Sequence, residues 1–251
     1  MKFTEENVFK RKINSFLQRI RNRINNANNC NIQTNGEMNL LDFVIYASKN
    51  TPVCVFDVGS NKGDYTISCL RVAEKHHKSI AIHAFEPNSK SYADLTKLCA
   101  DYNNVKINKA IVSETQGTEK IYFDNQGTTI ASLYVRDGFN QNEEVNSITL
   151  ENYISENNIE KIDLIKLDVE GHEYSCIKGL GNMIKSNKID YIQFEYGATY
   201  IDAGRFFKNI YDLLSEHWDI YRLRNNALEK VVYRQTMEDF QYANFVAKKK
   251  K

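Results

Sequence analysis

The chain has 251 residues, 42% hydrophobic and 26% charged, and its Lys and Arg outnumber its Asp and Glu by one. A chain of this size buries roughly 73% of the surface it exposes when unfolded, enough for one large core. The mixed composition excludes wholesale disorder, a collagen or coiled-coil rod and a low-complexity tract. The +1 balance gives no general field for gathering nucleic-acid backbone, though the charge is unevenly placed. Residues 1–30 carry seven Lys or Arg against Glu5 and Glu6, the last four residues are all lysine, and the span between is net acidic. Cys30, Cys54, Cys69, Cys99 and Cys176 are odd in number and form no C-x-x-C, so reduced thiols are expected rather than a disulfide framework or zinc ribbon. The start lacks an apolar signal core, and the longest apolar stretch, 40–47, is interrupted by Asp42. We expect a cytoplasmic protein with no membrane-inserted segment.

Residues 8–24 place Phe9, Ile13, Phe16, Leu17, Ile20 and Ile24 at spacings of three and four, which predicts an amphipathic helix with a basic opposite face. Its narrow stripe without Trp favours a lid or brace packed on the main domain over membrane-surface binding. The Asn-rich stretch 25–35, closed by Asn35-Gly36, reads as a linker loop, so residues 1–50 form a helical appendage.

From residue 52 short apolar runs alternate with helical patterns. Strands are predicted at 53–58, 79–85, 105–112, 162–169 and 190–195, and helices at 65–77, 91–102, 174–185 and 205–217. Such alternation predicts an α/β fold with a mostly parallel, doubly wound sheet. The polar, broken stretch 113–148, with short strands at 120–123 and 132–135, reads as an inserted substrate loop. Short strands at 221–223, 230–233 and 243–246 lack crossover helices and predict an antiparallel edge, with residues 248–251 as a basic tail.

Three strand ends carry chemistry. The first runs Asp57-Val58-Gly59-Ser60-Asn61-Lys62-Gly63, a glycine turn between strand and helix where backbone N–H groups face a ligand. Asn61 stands where a dinucleotide motif wants its second glycine, and Asp57 would repel a diphosphate but attract an ammonium, so a zwitterionic ligand is expected. The second ends Phe85-Glu86-Pro87-Asn88, where a carboxylate can accept both hydroxyls of a ribose and Pro87 stops the strand. For Glu86 the competing role is that of an acid at the next helix start.

The third, Lys166-Leu167-Asp168-Val169-Glu170-Gly171-His172-Glu173, brings three acids and a histidine to the same sheet edge, where open parallel sheets bind ligands. His172 in the first turn of a helix is held neutral by the dipole and can take a proton; Asp168 can orient that ring or take the proton itself. Glu170 joins His172 and Asp168 as a catalytic candidate, although it and Glu173 also suit plain helix-start acids. A competing arrangement has Asp168, Glu170 and Glu195 holding Mg²⁺ with waters, less favoured than metal-free chemistry. Cys176 stands where an H-E-x-x-H zinc site needs its second histidine. Tyr196 and Tyr200 offer faces for stacking a sugar, or ordinary core, and Arg136 in the insert is placed to recognise an acidic group on an acceptor.

These segments, with Ile177-Lys178-Gly179 and Phe194-Glu195, resemble the FkbM-type methyltransferases in the expected order over about residues 52–246. The resemblance implies a Rossmann-like sheet of seven strands, six parallel and one antiparallel, over a methyltransferase domain at 51–247. It implies S-adenosylmethionine (SAM) bound by Asp57, Gly59, Ser60, Asn61, Gly63, Glu86 and Pro87 beside Asp168, with adenine near Ala110 and Ile111. It also implies O-methyl transfer to a sugar hydroxyl, nucleotide-linked or part of a surface-polysaccharide precursor, with a non-sugar small molecule or natural product as alternative acceptor. Nucleic-acid modification is disfavoured by the acidic body and the absence of an N/D-P-P-Y/F turn. A nicotinamide-dependent oxidoreductase and a non-catalytic SAM-binding module are the readings from other classes. A homodimer is compatible with the sequence.

Overall fold

The structure, a computed structural model, describes residues 8–124 and 131–250, with side chains from Lys10 onward. Two helices, α1 (Val8–Asn25) and α2 (Glu37–Ala47), precede the first strand. The chain then runs β1 (Val53–Val58), α3 (Asp64–Lys75), β2 (Ile80–Phe85), α4 (Ser89–Leu98) and β3 (Val105–Asn108). The insert follows as β4 (Ile111–Val112), β5 (Gly117–Phe123) and β6 (Gln141–Ile148). The second half consists of α5 (Leu150–Glu156), β7 (Ile162–Leu167), α6 (Glu173–Lys178), β8 (Ile189–Tyr196), α7 (Thr199–Asp202), α8 (Phe207–Leu214), β9 (Trp218–Leu223), β10 (Leu228–Lys230) and β11 (Ala243–Lys249).

The large sheet has the order β10-β9-β11-β8-β7-β1-β2-β3. β1 and β7 are buried at every position, as central strands covered on both faces must be, and are mainly apolar, with Asp57 in β1 and Asp163 and Lys166 in β7 as buried charged exceptions. β11 is antiparallel to β8 and β9, the predicted antiparallel edge region. The sheet has eight strands rather than seven because the chain folds back after β9 into the three-residue β10. Register levels the strand tips: Val58 pairs with Phe85 on one side and Leu167 on the other, and Leu167 pairs with Phe194. The next residues, Gly59, Glu86, Asp168 and Glu195, therefore emerge along one edge.

The predicted strand 105–112 splits between two sheets. β3 ends where Asn108 turns its side-chain amide onto the Ala84 carbonyl (3.0 Å), and β4 joins a second sheet of order β4-β6-β5. Residues 132–135 are not a strand; they contribute a single bridge from Ser132 to Tyr122, and 141–148 is the true partner of β5. Only Val145 and Ser147 are buried along β6, so it shows almost no apolar alternation. The predicted helix 174–185 stops at Lys178 and continues as a 3-10 turn at Gly181–Ile184. Gly179 lies so close to the insert that a Cβ there would sit 2.1 Å from the Ser113 carbonyl oxygen.

The appendage divides in two. In α2, Leu40, Leu41, Val44 and Ile45 are buried against β1 and α3, each stabilising the fold by roughly 1.5–3 kcal/mol. Asp163 reinforces the join, accepting from Ser48 Oγ (2.6 Å), Asn50 Nδ2 (2.8 Å) and the Cys54 N–H (2.8 Å). By contrast, α1 does not brace the domain, because Ile13, Phe16, Leu17, Ile20 and Ile24 are all exposed. Lys248 and Lys249 belong to β11, so the basic cluster begins inside the sheet; Lys251 lies outside the described residues. Among the described residues no helix is long and apolar enough to cross a membrane.

Candidate active site

The turn after β1 is shaped by two glycines and an asparagine with positive φ, Gly59 (84°), Asn61 (49°) and Gly63 (98°). At Gly59 the requirement is steric as well, since a Cβ would lie 1.8 Å from the Asp168 carbonyl oxygen. Ser60 ties the turn together, donating to the Asp57 carbonyl (2.6 Å) and accepting from the Phe85 N–H (3.1 Å). Asp57 is fully buried: Thr66 donates to Oδ2 (2.6 Å), while Oδ1 has no partner among the described residues. Burial pushes its carboxyl up, against the pull of the Lys166 ammonium.

Glu86 is held by main chain. Oε2 accepts from the Asn61 N–H and Oε1 from the Asn88 N–H, both at 2.8 Å. These bonds fasten β2 to the glycine turn and aim the carboxylate, which burial pushes up to about 7. The helix-start role falls instead to Asn88, which caps α4 by accepting from the N–H groups of Lys90 and Ser91.

At the tip of β7, Lys166 is buried and its ammonium donates to Asp168 Oδ2 (2.8 Å). Burial presses the ammonium down, but the carboxylates of Asp168, Glu37, Asp57 and Glu195 outweigh it and hold it well above its usual range. Asp168 keeps a side chain one-third exposed, and among the described residues Oδ1 takes no protein donor. Glu170 (φ 57°) and Gly171 (φ 100°) then turn the chain sharply. Glu173 closes that turn, accepting from the Val169 N–H (3.1 Å) and, more weakly, the Gly171 N–H (3.4 Å), which favours its structural role.

His172 is bracketed by the insert: Nε2 shares a hydrogen bond with Ser113 Oγ (3.0 Å) and Nδ1 with Tyr134 Oη (3.1 Å). Burial drives its imidazole down to about 4. Asp168 does not orient this ring; its carboxylate is turned to Lys166 instead.

These tips open on a cleft that runs out into solvent. Gly59, Asn61, Glu86, Pro87, Ala110, Ile111, Asp168, Glu170 and His172 all line it. Ser60, Gly63 and Asp57 stand behind that lining and shape it. The substrate group fares differently. Tyr196 and Tyr200 are fully buried, an edge-on pair at 4.9 Å in the main core, and present no face to a sugar. Glu195 accepts from Tyr242 Oη (2.5 Å) and is not part of the cleft wall, so it does not join Asp168 and Glu170. Among the described residues no group of three or more His, Cys, Asp or Glu is placed to hold a metal ion. Arg136 is already engaged, by Glu170 Oε2 (2.9 Å), the Glu170 carbonyl (2.7 Å) and Asp202 (2.8 Å). Sequence reasoning missed Lys166, Ser113 and Tyr134, and the apolar wall formed by Ile121 of β5 with Ala131 and Leu133 from the connection that follows it.

The sequence profile described as the methyltransferase FkbM domain matches residues 57–221, from the buried Asp57 to the middle of β9. The chain belongs to the FkbM methyltransferase family. It is a SAM-dependent methyltransferase. A curated relative, the hexuronic acid methyltransferase AglP of Haloferax volcanii, is 24% identical over 196 residues, covering 72% of this chain and 69% of that protein. Among solved structures, a putative rRNA-methylase from Clostridium thermocellum is 10% identical with a TM-score of 0.47, over 86% of this chain and 97% of its own. TrmK of M. capricolum, solved with S-adenosylhomocysteine, is 12% identical with a TM-score of 0.41, over 84% of this chain and 68% of its own. Likenesses at that level carry no chemistry from one protein to another.

The FkbM cleft suits the donor. A main-chain-anchored carboxylate at Glu86 matches a ribose diol, and the apolar wall from Phe85, Ala110, Ile111, Val112 and Ile121 matches an adenine.

Proposed function

We propose that this FkbM methyltransferase transfers a methyl group to a hydroxyl of a sugar, with Asp168 as the proton acceptor. The observation that carries the assignment is that both ring nitrogens of His172 are taken by Ser113 and Tyr134, while Asp168 lines the cleft with one oxygen uncommitted. Bound SAM supplies an electrophilic methyl on a sulfonium. Asp168 accepts the hydroxyl proton as the oxygen–carbon bond forms and the carbon–sulfur bond breaks, and Lys166 holds the carboxylate in place through Oδ2. The apolar wall of Ile121, Ala131 and Leu133 keeps water from competing for the methyl group. The sugar class rests on the relative that acts on a hexuronic acid.

The test is transfer of labelled methyl from SAM to a panel of hexuronic acids, neutral sugars and nucleotide sugars; no incorporation across the panel overturns the sugar assignment. On an acceptor that works, Asp168→Asn lowers kcat by about 10²–10⁴-fold, whereas His172→Gln changes it less than about tenfold. The reverse ranking would make His172 the base.

A further inference from the structure

The helix α1 is unlike the rest of the molecule. Ile13, Phe16, Leu17, Ile20 and Ile24 are 41%, 61%, 56%, 41% and 72% exposed, a continuous apolar stripe that no other element among the described residues covers. At 3.6 residues per turn these five fall within an arc of roughly 100°. Five of its six basic residues flank that stripe, Lys10 and Arg21 on one side and Lys12, Arg19 and Arg23 on the other, and the helix contains no acid. On the far face Arg11 alone is charged, among Asn14, Ser15, Gln18 and Asn22. Such a helix can sink its stripe into the acyl boundary of a bilayer while its flanking cations stay at headgroup level.

We propose that α1 is a surface anchor that adsorbs this protein to anionic membranes. Charge complementarity selects this occupant. Two copies of α1 stripe to stripe would bring two cationic borders together with no acid to offset them, and a nucleic acid would engage the cations but leave the stripe in water. The helix is also rooted where adsorption has a consequence. The Asn28 N–H donates to the Tyr242 carbonyl (2.8 Å), Arg224 donates to the Ile24 carbonyl (3.1 Å), and Arg21 lies 4.0 Å from Asp239. Tyr242 directly precedes β11, whose first residue pairs with the last residue of β8, at the sheet edge from which Glu86 and Asp168 emerge. Adsorption through α1 keeps that edge beside the bilayer.

The experiment is co-sedimentation of the full chain with phosphatidylcholine vesicles carrying about a third phosphatidylglycerol, and with pure phosphatidylcholine vesicles, at low and high salt. The anionic vesicles are expected to retain the protein, with retention falling at high salt and on pure phosphatidylcholine. The double variant Arg19→Glu, Arg23→Glu is expected to lose roughly a hundredfold in partition, and Leu17→Ser, Ile20→Ser roughly tenfold or more. Both pairs are solvent-exposed, so unchanged thermal melts accompany the loss, and methyl transfer to a soluble acceptor is unaffected. Equal retention on both vesicle types, no retention on either, or binding that survives both variants overturns the proposal. So does a dimer in vesicle-free solution that dissociates on Leu17→Ser, Ile20→Ser, which would make a second copy the occupant.

Discussion

Glu86 shows how main chain sets the chemistry of one side chain. Two backbone N–H groups at 2.8 Å fix the carboxylate, yet burial outweighs them and pushes it up to about 7. A ribose diol donates to the ionised form, so the carboxyl must shed its proton before the donor binds. Affinity for S-adenosylhomocysteine is therefore expected to weaken by up to about tenfold per pH unit below pH 7 and to level off above it; Glu86→Gln binds more weakly with a flat profile. Calorimetry across pH reads both, and an unchanged profile in Glu86→Gln would remove the carboxylate from donor binding. Position in the strand exposed Glu86 to sequence reasoning. The partners of His172 stayed hidden because Ser113 and Tyr134 are 59 and 38 residues away in the chain and bear no motif.

Elements meet at this site through contacts that only small residues permit. Gly59 combines a positive φ with a separation that would put its Cβ 1.8 Å from the Asp168 carbonyl oxygen, so the tips of β1 and β7 close only over a bare Cα. Gly59→Ala is expected to destabilise the fold by more than about 3 kcal/mol in a denaturant melt; a melt like that of the wild type would mean the two tips are not in contact. The second sheet is the element least visible in the sequence. Along β6 the polar residues outnumber the apolar ones, and its role appears only when Ile111, Ile121 and Val145 are seen to form a small core of their own. In α2 the apolar residues lie at helical spacing, but the sequence did not show that they cover one face of the large sheet. In α1 the stripe predicted the helix correctly and its packing wrongly, because amphipathicity specifies a face and not what covers it.

Across the whole molecule, buried ionisable groups pull stability in opposite directions with pH. His172 is driven down to about 4, so the unfolded chain takes up a proton from about pH 6.5 while the native state refuses it until about pH 4. Its contribution is complete above 6.5 and is lost as pH falls through that window, by roughly 3 kcal/mol; His83, also driven down to about 4 by burial, acts in the same sense. Glu86 and Glu173, pushed up to about 7 by burial, act oppositely: their contribution is present below about 4.5 and is lost as pH rises through 7. Because these windows overlap between about pH 4.5 and 6.5, the two sets of terms oppose each other there, and His172→Gln should shift the dependence of unfolding free energy toward a steeper fall with rising pH across that range. If the slope in that range is unchanged by the substitution, His172 is not buried neutral. By itself the sequence determined the α/β alternation, the glycine turn and the acids at two further strand ends, because strand period, turn chemistry and chain order are local properties. Tertiary structure alone decided that Lys166 holds Asp168, that the insert clasps His172, that Tyr196 and Tyr200 are core, and that α1 stands uncovered. Each of those depends on which surfaces meet, and residues far apart in the chain carry no local signature of their meeting.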